Sequence, residues 1–270
     1  MQGASRAAFS AAREALAAAV GDQAAAGTLA DELFELVGLL DHEPGLRRAL
    51  TDPTSPAAAR SGLVRGLFGD RVAQATLDLL ADMVTQRWSA SRDLPDALEQ
   101  LAVLATAAAA GSATQLDEVE DDLFRFGRIV AAEPELYTAL ASPALPADRK
   151  RSLLDALLED KVSASARRLI TQAAVYPRGR NLEVNLGDYA RLTAEWRERL
   201  IALVRVAAEL TRAQRRRLSA ALKAIYGTGI HLNVIVDPEV VGGMSVQIGD
   251  EFIDGSVASQ LAALRRRLAA

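Results

Sequence analysis

Residues that commonly carry catalysis or bind metals are few and scattered in this sequence. The chain has no cysteine and two histidines, so thiolate chemistry and disulfides are excluded. His42 falls in a helix-ending turn and His231 on the polar side of a predicted strand, and neither has a second histidine or a cysteine at metal-ligand spacing. The motifs of serine hydrolases, zinc proteases and Ser/Lys enzymes are absent from the sequence. The sequence therefore predicts no catalytic residue, no metal site and no cofactor.

Clusters of like charge suggest other kinds of site, but each has a simpler explanation. We expect Glu120–Asp122 in the first turn of a helix, where the helix dipole favours acidic residues. The triplets Arg215–Arg217 and Arg265–Arg267 could indicate nucleic-acid binding, yet no aromatic residues are interleaved with them to stack on bases. A solvated helix face, or a surface for an acidic protein partner, is the better interpretation.

The composition favours close-packed helices. Half of the 270 residues are hydrophobic and only 4% are aromatic, so alanine and leucine supply most of the apolar content. No apolar run is long enough to span a bilayer, and the N-terminal pattern is not that of a signal peptide. Charge is uneven: residues 199–270 contain ten basic and six acidic residues, a net charge of +4, which leaves −8 on residues 1–198 of the total of −4.

Helical periodicity runs through residues 1–198. Apolar residues spaced three and four apart predict helices over 5–20, 28–40, 72–88 and 94–110, together with shorter helices at 46–50 and 57–68. Thr28 is expected to cap the second of these helices. Prolines at Pro44, Pro53 and Pro56 interrupt the pattern.

The helical part repeats at an offset of 90 residues. Leu33-Phe34 recurs as Leu123-Phe124, and residues 31–79 share sixteen identities with residues 121–169 in forty-nine ungapped pairs. This similarity indicates an internal duplication.

The duplication predicts two tandem homologous helical bundles, at residues 1–105 and 106–198. The helix over 94–110 should serve both, closing the first copy and opening the second. We expect the copies to superpose, with Leu33 and Leu123, and Leu67 and Leu157, in equivalent buried positions.

From residue 199 the periodicity changes from helical to alternating. Residues 201–208 and 230–236 read as strands, and Thr211 with Gln214 forms a capping box for the helix between them. The order β-α-β-β-β-α predicts a small α+β domain over residues 199–270. The chain as a whole is therefore expected to be mainly α.

The C-terminal end carries the most specific pattern. Gly242-Gly243 precedes an alternating strand, Gly249-Asp250 suits a two-residue hairpin loop, and Asp254-Gly255-Ser256 ends a second strand and supplies Ser256 as the cap of a final amphipathic helix. A phosphate-binding loop is disfavoured, because the stretch opens a hairpin and lacks the Lys-Ser/Thr of a P-loop. This order closely resembles the C-terminal signature of the ATP synthase delta subunit family, called oligomycin-sensitivity-conferring protein in mitochondria.

The resemblance covers essentially the whole chain and departs from the family in one respect. The usual member has one helical bundle and this chain has two, as expected of a long actinobacterial form. The resemblance implies a non-catalytic subunit of the peripheral stalk, or stator, of the proton-translocating F-type ATP synthase. Such a subunit links the alpha/beta catalytic head to the b subunits, so that the head does not rotate with the rotor.

The resemblance also implies the location and the partners. One copy per synthase is expected at the cytoplasmic face of the cell membrane, as a peripheral protein without a membrane span and without nucleic acid. The partners would be the N-terminal helices of alpha subunits and the b subunits of the stalk. The alternatives are a free-standing helical-repeat adaptor unrelated to the synthase and an enzyme with an unfamiliar site.

Candidate contact residues follow from the same resemblance. An alpha-subunit helix is expected in a groove between the first and fifth helices of a bundle. The candidates are Phe9, Ala12, Leu16, Leu77, Leu80 and Val84 in the first copy, and Leu98, Leu101, Ala105, Leu169, Ile170 and Ala173 in the second. The b subunit is expected to bind the C-terminal domain, whose signature and contact residues are Gly242, Gly243, Gly249, Asp250, Asp254, Gly255, Ser256, Leu264 and Leu268. For any single apolar candidate, core packing is the competing role.

Overall fold

In the part of the chain that the structure describes, apolar residues at helical spacing form eleven consecutive helices before the first strand. The computed structural model describes residues 3–20, 22–142, 144–199, 201–207, 210–226, 230–237, 243–248 and 251–254. The helices are α1 (Ala4–Ala19), α2 (Gln23–His42), α3 (Pro44–Thr51), α4 (Ala57–Phe68), α5 (Gln74–Met83), α6 (Asp93–Ala110), α7 (Ala113–Ala132), α8 (Pro134–Ala141), α9 (Ala147–Leu158), α10 (Ala164–Val175) and α11 (Leu182–Arg199).

The chain divides into two compact units. Unit 1 comprises residues 1–111 and 115–193, and unit 2 comprises residues 112–114 and 194–270. Unit 1 is built from helices, whereas unit 2 contains all the strands of the described residues. The predicted division of the helical part at residue 105 stays a prediction.

Two predicted helix boundaries are wrong. The helix α2 begins at Gln23 rather than after Thr28, because the Asp22 carboxylate accepts a hydrogen bond from the Ala25 amide at 2.8 Å and caps it there. The Thr28 hydroxyl instead donates to a carbonyl of the preceding turn. The helix α5 ends at Met83, short of the predicted 72–88, and the Met83 carbonyl accepts the indole N–H of Trp88 at 2.9 Å.

The 90-residue repeat of the sequence is also a repeat of the structure. The bounds of α2, α3 and α4 recur in α7, α8 and α9 at an offset of 90 in every case. Leu33 and Leu123 are both buried, as predicted.

The expected burial of the second leucine pair is wrong. Leu67 is 42% exposed and Leu157 is 37% exposed. Their helices turn Val64 and Phe68, and Leu154 and Leu158, towards the core, and the neighbouring leucine lies off that face. The two leucines are alike in their exposure, but they are not core residues.

The acidic residues at 120–122 lie in the middle of α7, not in a first turn as expected. The Asp122 carboxylate accepts from the Ser163 amide at 2.9 Å, immediately before α10. In the first copy, the Glu32 carboxylate accepts from the Ala73 amide at 2.8 Å, immediately before α5. Both pairs are 41 residues apart, so each copy caps its penultimate helix in the same way, from a neighbouring helix.

Unit 2 carries a four-stranded mixed sheet. Its elements are β1 (Ile201–Val206), α12 (Arg212–Tyr226), β2 (His231–Val236), β3 (Met244–Ile248) and β4 (Glu251–Asp254). The strand order is β2-β1-β3-β4, with β1 and β2 parallel and the other pairs antiparallel. The crossover between the parallel strands runs through α12, as such connections require. The core of the sheet consists of Ala202, Val204, Val206, Leu222, Ile230, Val246 and Ile248.

The predicted fold class is confirmed: the protein is mainly helical with a small α+β part. The capping box is present, because the Thr211 amide donates to the Gln214 side chain at 2.9 Å and the Gln214 amide donates to the Thr211 hydroxyl at 3.3 Å. Ile248 pairs with Glu251 across β3 and β4, which is the register of a two-residue hairpin loop. The predicted final helix lies outside the described residues.

The matched leucines provide a stability test. We expect Leu33→Ala and Leu123→Ala each to lower the free energy of unfolding by about 3 kcal/mol, because each leaves a cavity in a closed core. Leu67→Ala and Leu157→Ala should each cost less than about 1 kcal/mol, since these side chains are partly in water. Urea denaturation of the four variants measures this difference. Equal losses across the four would show that exposure does not separate the two pairs.

Gly243 provides a second test. Its φ of 81° lies in the left-handed region that favours glycine. Gly243→Val should destabilise unit 2 by about 2 kcal/mol through backbone strain, and limited proteolysis should then remove unit 2 and leave a helical fragment. The control is Gly243→Asn, because asparagine tolerates this conformation. Simultaneous digestion of both units in the valine variant would contradict the expectation.

Candidate functional site

A shallow groove lies between α1 and α5 in unit 1. These helices pack side by side and enclose a space of about 190 Å³. Its lining is Ala8, Ala11, Ala12 and Ala15 from α1, and Leu79, Asp82, Met83, Thr85 and Gln86 from α5 and the residues after it. Four alanines make the α1 wall low, so a helix laid in the groove can approach the α1 backbone closely.

Hydrogen bonds at its N-terminal end fix α1 in place. The buried Ser5 hydroxyl donates to the Asp93 carboxylate at 2.7 Å and accepts from the Ser89 amide at 2.7 Å. These bonds tie α1 to the start of α6. The α1 wall of the groove is therefore held by the bundle and is largely formed before any partner binds.

The groove has an apolar floor and a polar rim. Leu79 and Met83 are buried, whereas Asp82 and Gln86 are exposed. This combination suits an amphipathic helix, which can bury its apolar face on the floor and keep its polar face at the rim.

The first-copy candidates only partly coincide with this groove. Ala12 lines it. Leu16, Leu77, Leu80 and Val84 are buried in the bundle. Phe9 is half-buried, and the guanidinium carbon of Arg13 lies 5.9 Å from the centroid of its ring. Contact of these residues with an alpha helix stays a prediction.

Sequence reasoning missed most of the lining, because it sought large apolar residues. The large apolar side chains of α1 point into the bundle, whereas the groove is lined by alanines on the neighbouring face of the helix. The available signal was the run of alanines on the face of α1 beside its apolar stripe.

The second-copy candidates are all core residues of unit 1. Leu98, Leu101, Ala105, Leu169, Ile170 and Ala173 are each 0% exposed. Five of them, Leu98, Leu101, Ala105, Leu169 and Ala173, are equivalent at the offset of 90 to residues that line the first-copy groove, namely Ala8, Ala11, Ala15, Leu79 and Met83. Their contact with an alpha helix also stays a prediction.

A buried charge cluster joins the two copies, and the sequence did not predict it. Glu99 of α6 is 2% exposed. Its carboxylate accepts from the Arg178 guanidinium at 2.5 Å, from the Tyr189 hydroxyl at 2.6 Å and from Arg180. The cluster thus connects α6 to α11 and to the segment that follows α10.

Arg178 extends the cluster to α2. Its guanidinium donates to Asp41 through Nε and Nη2 and to Asp96 through Nη2, the last bond measuring 2.8 Å. Burial alone lowers the pKa of Arg178, but the hydrogen bond to Asp41 and the charges of Glu99, Asp41 and Asp96 outweigh it, and the pKa is raised. Arg178 therefore stays charged, and its buried positive charge is compensated by these carboxylates.

Tyr189 completes the cluster as a neutral donor. Burial raises its pKa well above the usual range, and the charge of Glu99 and the hydrogen bond to it act in the same direction. The phenol therefore stays protonated at neutral pH and donates to Glu99. Neither the Tyr189–Glu99 hydrogen bond nor the Arg178 ion pairs resemble a reactive centre, because each charged group is compensated by a fixed partner.

The C-terminal signature is described only in part. Gly243 precedes β3 with a positive φ, and Asp254 is the last residue of β4. Gly242, Gly249, Asp250, Gly255, Ser256, Leu264 and Leu268 lie outside the described residues. The contact of this signature with the b subunit stays a prediction.

The described ranges contain neither a metal-binding cluster nor a membrane-spanning helix. They contain no group of three or more acidic or histidine residues that could hold a metal ion. None of the helices there is both long and apolar enough to cross a membrane.

The fold is a duplicated helical unit followed by a small α+β unit, with an alanine-lined groove between two helices of the first copy. A family model described as "ATP synthase delta (OSCP) subunit" matches residues 102–268. The ATP synthase subunit delta of Thermobifida fusca is 50% identical over 242 residues, covering 90% of this chain and 90% of the relative. That of Acidothermus cellulolyticus is 46% identical and covers 100% of both chains.

A solved structure of the Toxoplasma gondii mitochondrial ATP synthase hexamer contains a chain that is 21% identical. The match covers 62% of this chain and 97% of that chain, with a TM-score of 0.31.

The chain belongs to the ATP synthase delta (OSCP) subunit family. It is a subunit of the peripheral stalk, and its partners are other subunits of the ATP synthase.

The charge cluster yields a stability prediction. Arg178→Met should lower the free energy of unfolding by about 3 kcal/mol, because it leaves the buried Glu99 and its acidic neighbours with less compensating charge. The control is Arg168→Met, which breaks the 2.7 Å surface pair with Asp31 and should cost less than about 1 kcal/mol. Urea unfolding measures both, and similar small losses would show that the cluster does not hold unit 1 together.

Proposed function

We propose that unit 1 binds an N-terminal helix of an alpha subunit in the α1–α5 groove, and that unit 2 holds the b subunit. The chain would then tie the alpha/beta head to the b subunits and prevent the head from turning with the rotor. The observation that supports the first contact is the alanine-lined groove itself. It is open and pre-formed, and its polar rim and apolar floor suit an amphipathic helix.

The separation of charge supports two different partners. Residues 199–270 carry a net charge of +4 and residues 1–198 carry −8. Surfaces of such different charge are better suited to two partners than to one. A contact through apolar groove side chains should persist in salt, whereas a contact assisted by basic residues should weaken as salt screens it.

The role proposed is mechanical and not enzymatic. The charges of the Glu99 cluster are neutralised by fixed partners, so none of its groups is poised to act as an acid, a base or a nucleophile. The location that fits this role is the cytoplasmic face of the cell membrane, as a peripheral part of the synthase with one copy per complex. A free-standing adaptor is not favoured, given the family to which the chain belongs.

Binding by the full-length chain tests the proposal. Ala11→Arg places a long charged side chain in the groove and should weaken binding of an alpha N-terminal peptide by at least about tenfold. Ser10→Arg is the control, because Ser10 is exposed on the same helix but does not line the groove. Peptide binding should change little between about 50 mM and about 500 mM salt, roughly from one third of physiological ionic strength to three times that value.

The same titrations with the soluble part of b should give the opposite pattern. Its binding should be unaffected by Ala11→Arg and should weaken with salt. Isothermal titration calorimetry measures both partners on one preparation. Loss of b binding in the Ala11→Arg variant, with peptide binding retained, would show that the two surfaces are assigned the wrong way round.

A further inference from the structure

The duplication places α6 in two roles. In the first copy it is the last helix, and in the second it takes the place that α1 holds in the first, at the offset of 90. The helix α10 likewise takes the place of α5, and α6 packs against it as α1 packs against α5. The second copy therefore contains the two helices that would form a second groove.

The two groove faces differ in exposure. In the first copy, Ala11 is exposed and Ala15 is half-exposed. Their equivalents on α6 are Leu101 and Ala105, both 0% exposed. The second groove face is therefore covered by another part of unit 1.

The helix α2 is the element in position to cover it. It packs along α6 and reaches α10, where Asp31 pairs with Arg168 at 2.7 Å. Beside this contact, a cleft of about 810 Å³ remains between α2 and α10, with Glu35 and Leu39 on one wall and Gln172 on the other. At the other end of α2, Asp41 is tied to Arg178.

We infer that α2 of the first copy covers the α6 face of the second groove, so that, of the two equivalent grooves in the described residues, only the one between α1 and α5 is open and accepts an alpha-subunit helix. The partner named here rests on the proposed function, but the closure of the second groove does not. Release of α2 is costly, because its other side carries Leu33 and the rest of the first core. The second copy then extends the subunit without adding a second site of the same kind.

Cysteine labelling tests the closure without any partner. The chain has no cysteine, so one introduced thiol reports one position. Ala15→Cys and Ala105→Cys are equivalent in the two copies and change the side chain by a single sulfur. With a maleimide, we expect Ala105→Cys to react at least about a hundredfold more slowly than Ala15→Cys, because its thiol is reached only through opening of unit 1.

Two controls make the comparison decisive. In urea both thiols should react at the same rate, which excludes an intrinsic difference between them. Circular dichroism and urea midpoints should show that both variants fold, and Ala102→Cys is a second buried position if Ala105→Cys does not. Equal labelling of the folded variants would overturn the inference.

The alpha N-terminal peptide tests the single site. Calorimetry on the full-length chain should give one peptide per chain, and bound peptide should slow labelling of Ala15→Cys but not of Ala105→Cys. Gln172→Arg, on the covered side, should bind the peptide as the unmodified chain does. Two peptides per chain, or protection of Ala105→Cys, would overturn the inference. Absence of peptide binding with the expected labelling difference would reject the proposed function and keep the closure.

Discussion

The burial of most of α6 is the constraint on which the helical unit depends. A helix that serves two bundles leaves little of its surface to water, and its own residues are accordingly mostly apolar and buried, including Leu94, Ala97, Leu101 and Leu104, all 0% exposed. The one carboxylate inside this surface, Glu99, would be very costly without partners. Arg178, Arg180 and Tyr189 supply them and bring in the chain segments of the second copy.

Much of the fold follows from local pattern in the sequence. Prolines, glycine turns and the change from helical to alternating periodicity locate the elements, and the shared residues of the two copies reveal the repeat before any contact is known. The same reasoning fails at Leu67 and Leu157, for which it predicts burial because the two copies carry the same residue. Two copies can keep the same residue because of their common origin as well as because it is buried. Leu67 and Leu157 lie just beside the inward face of a short helix, so they are identical without being buried.

The site was harder to predict, because its determinants are either weak or distant in sequence. Alanines such as Ala11 give little periodic signal, although they shape the groove. The two copies also differ in the surroundings of one equivalent basic residue, Arg60 in the first copy and Lys150 in the second. Arg60 is buried and donates to the Val84 carbonyl at 2.7 Å and to three others, whereas burial lowers the pKa of its equivalent, Lys150. No pattern of residue types could distinguish these two environments.

Sharing a helix has a mechanical meaning for a protein that holds other subunits still. Two domains joined by a linker bend where they meet, and each added domain makes the assembly softer. Here the second copy begins inside the first, because α6 is the wall of both, and the junction is a packed interior with fixed ion pairs. Close-packed interiors have low compressibility and transmit strain. The duplication therefore enlarges the helical unit without inserting a hinge between its two copies.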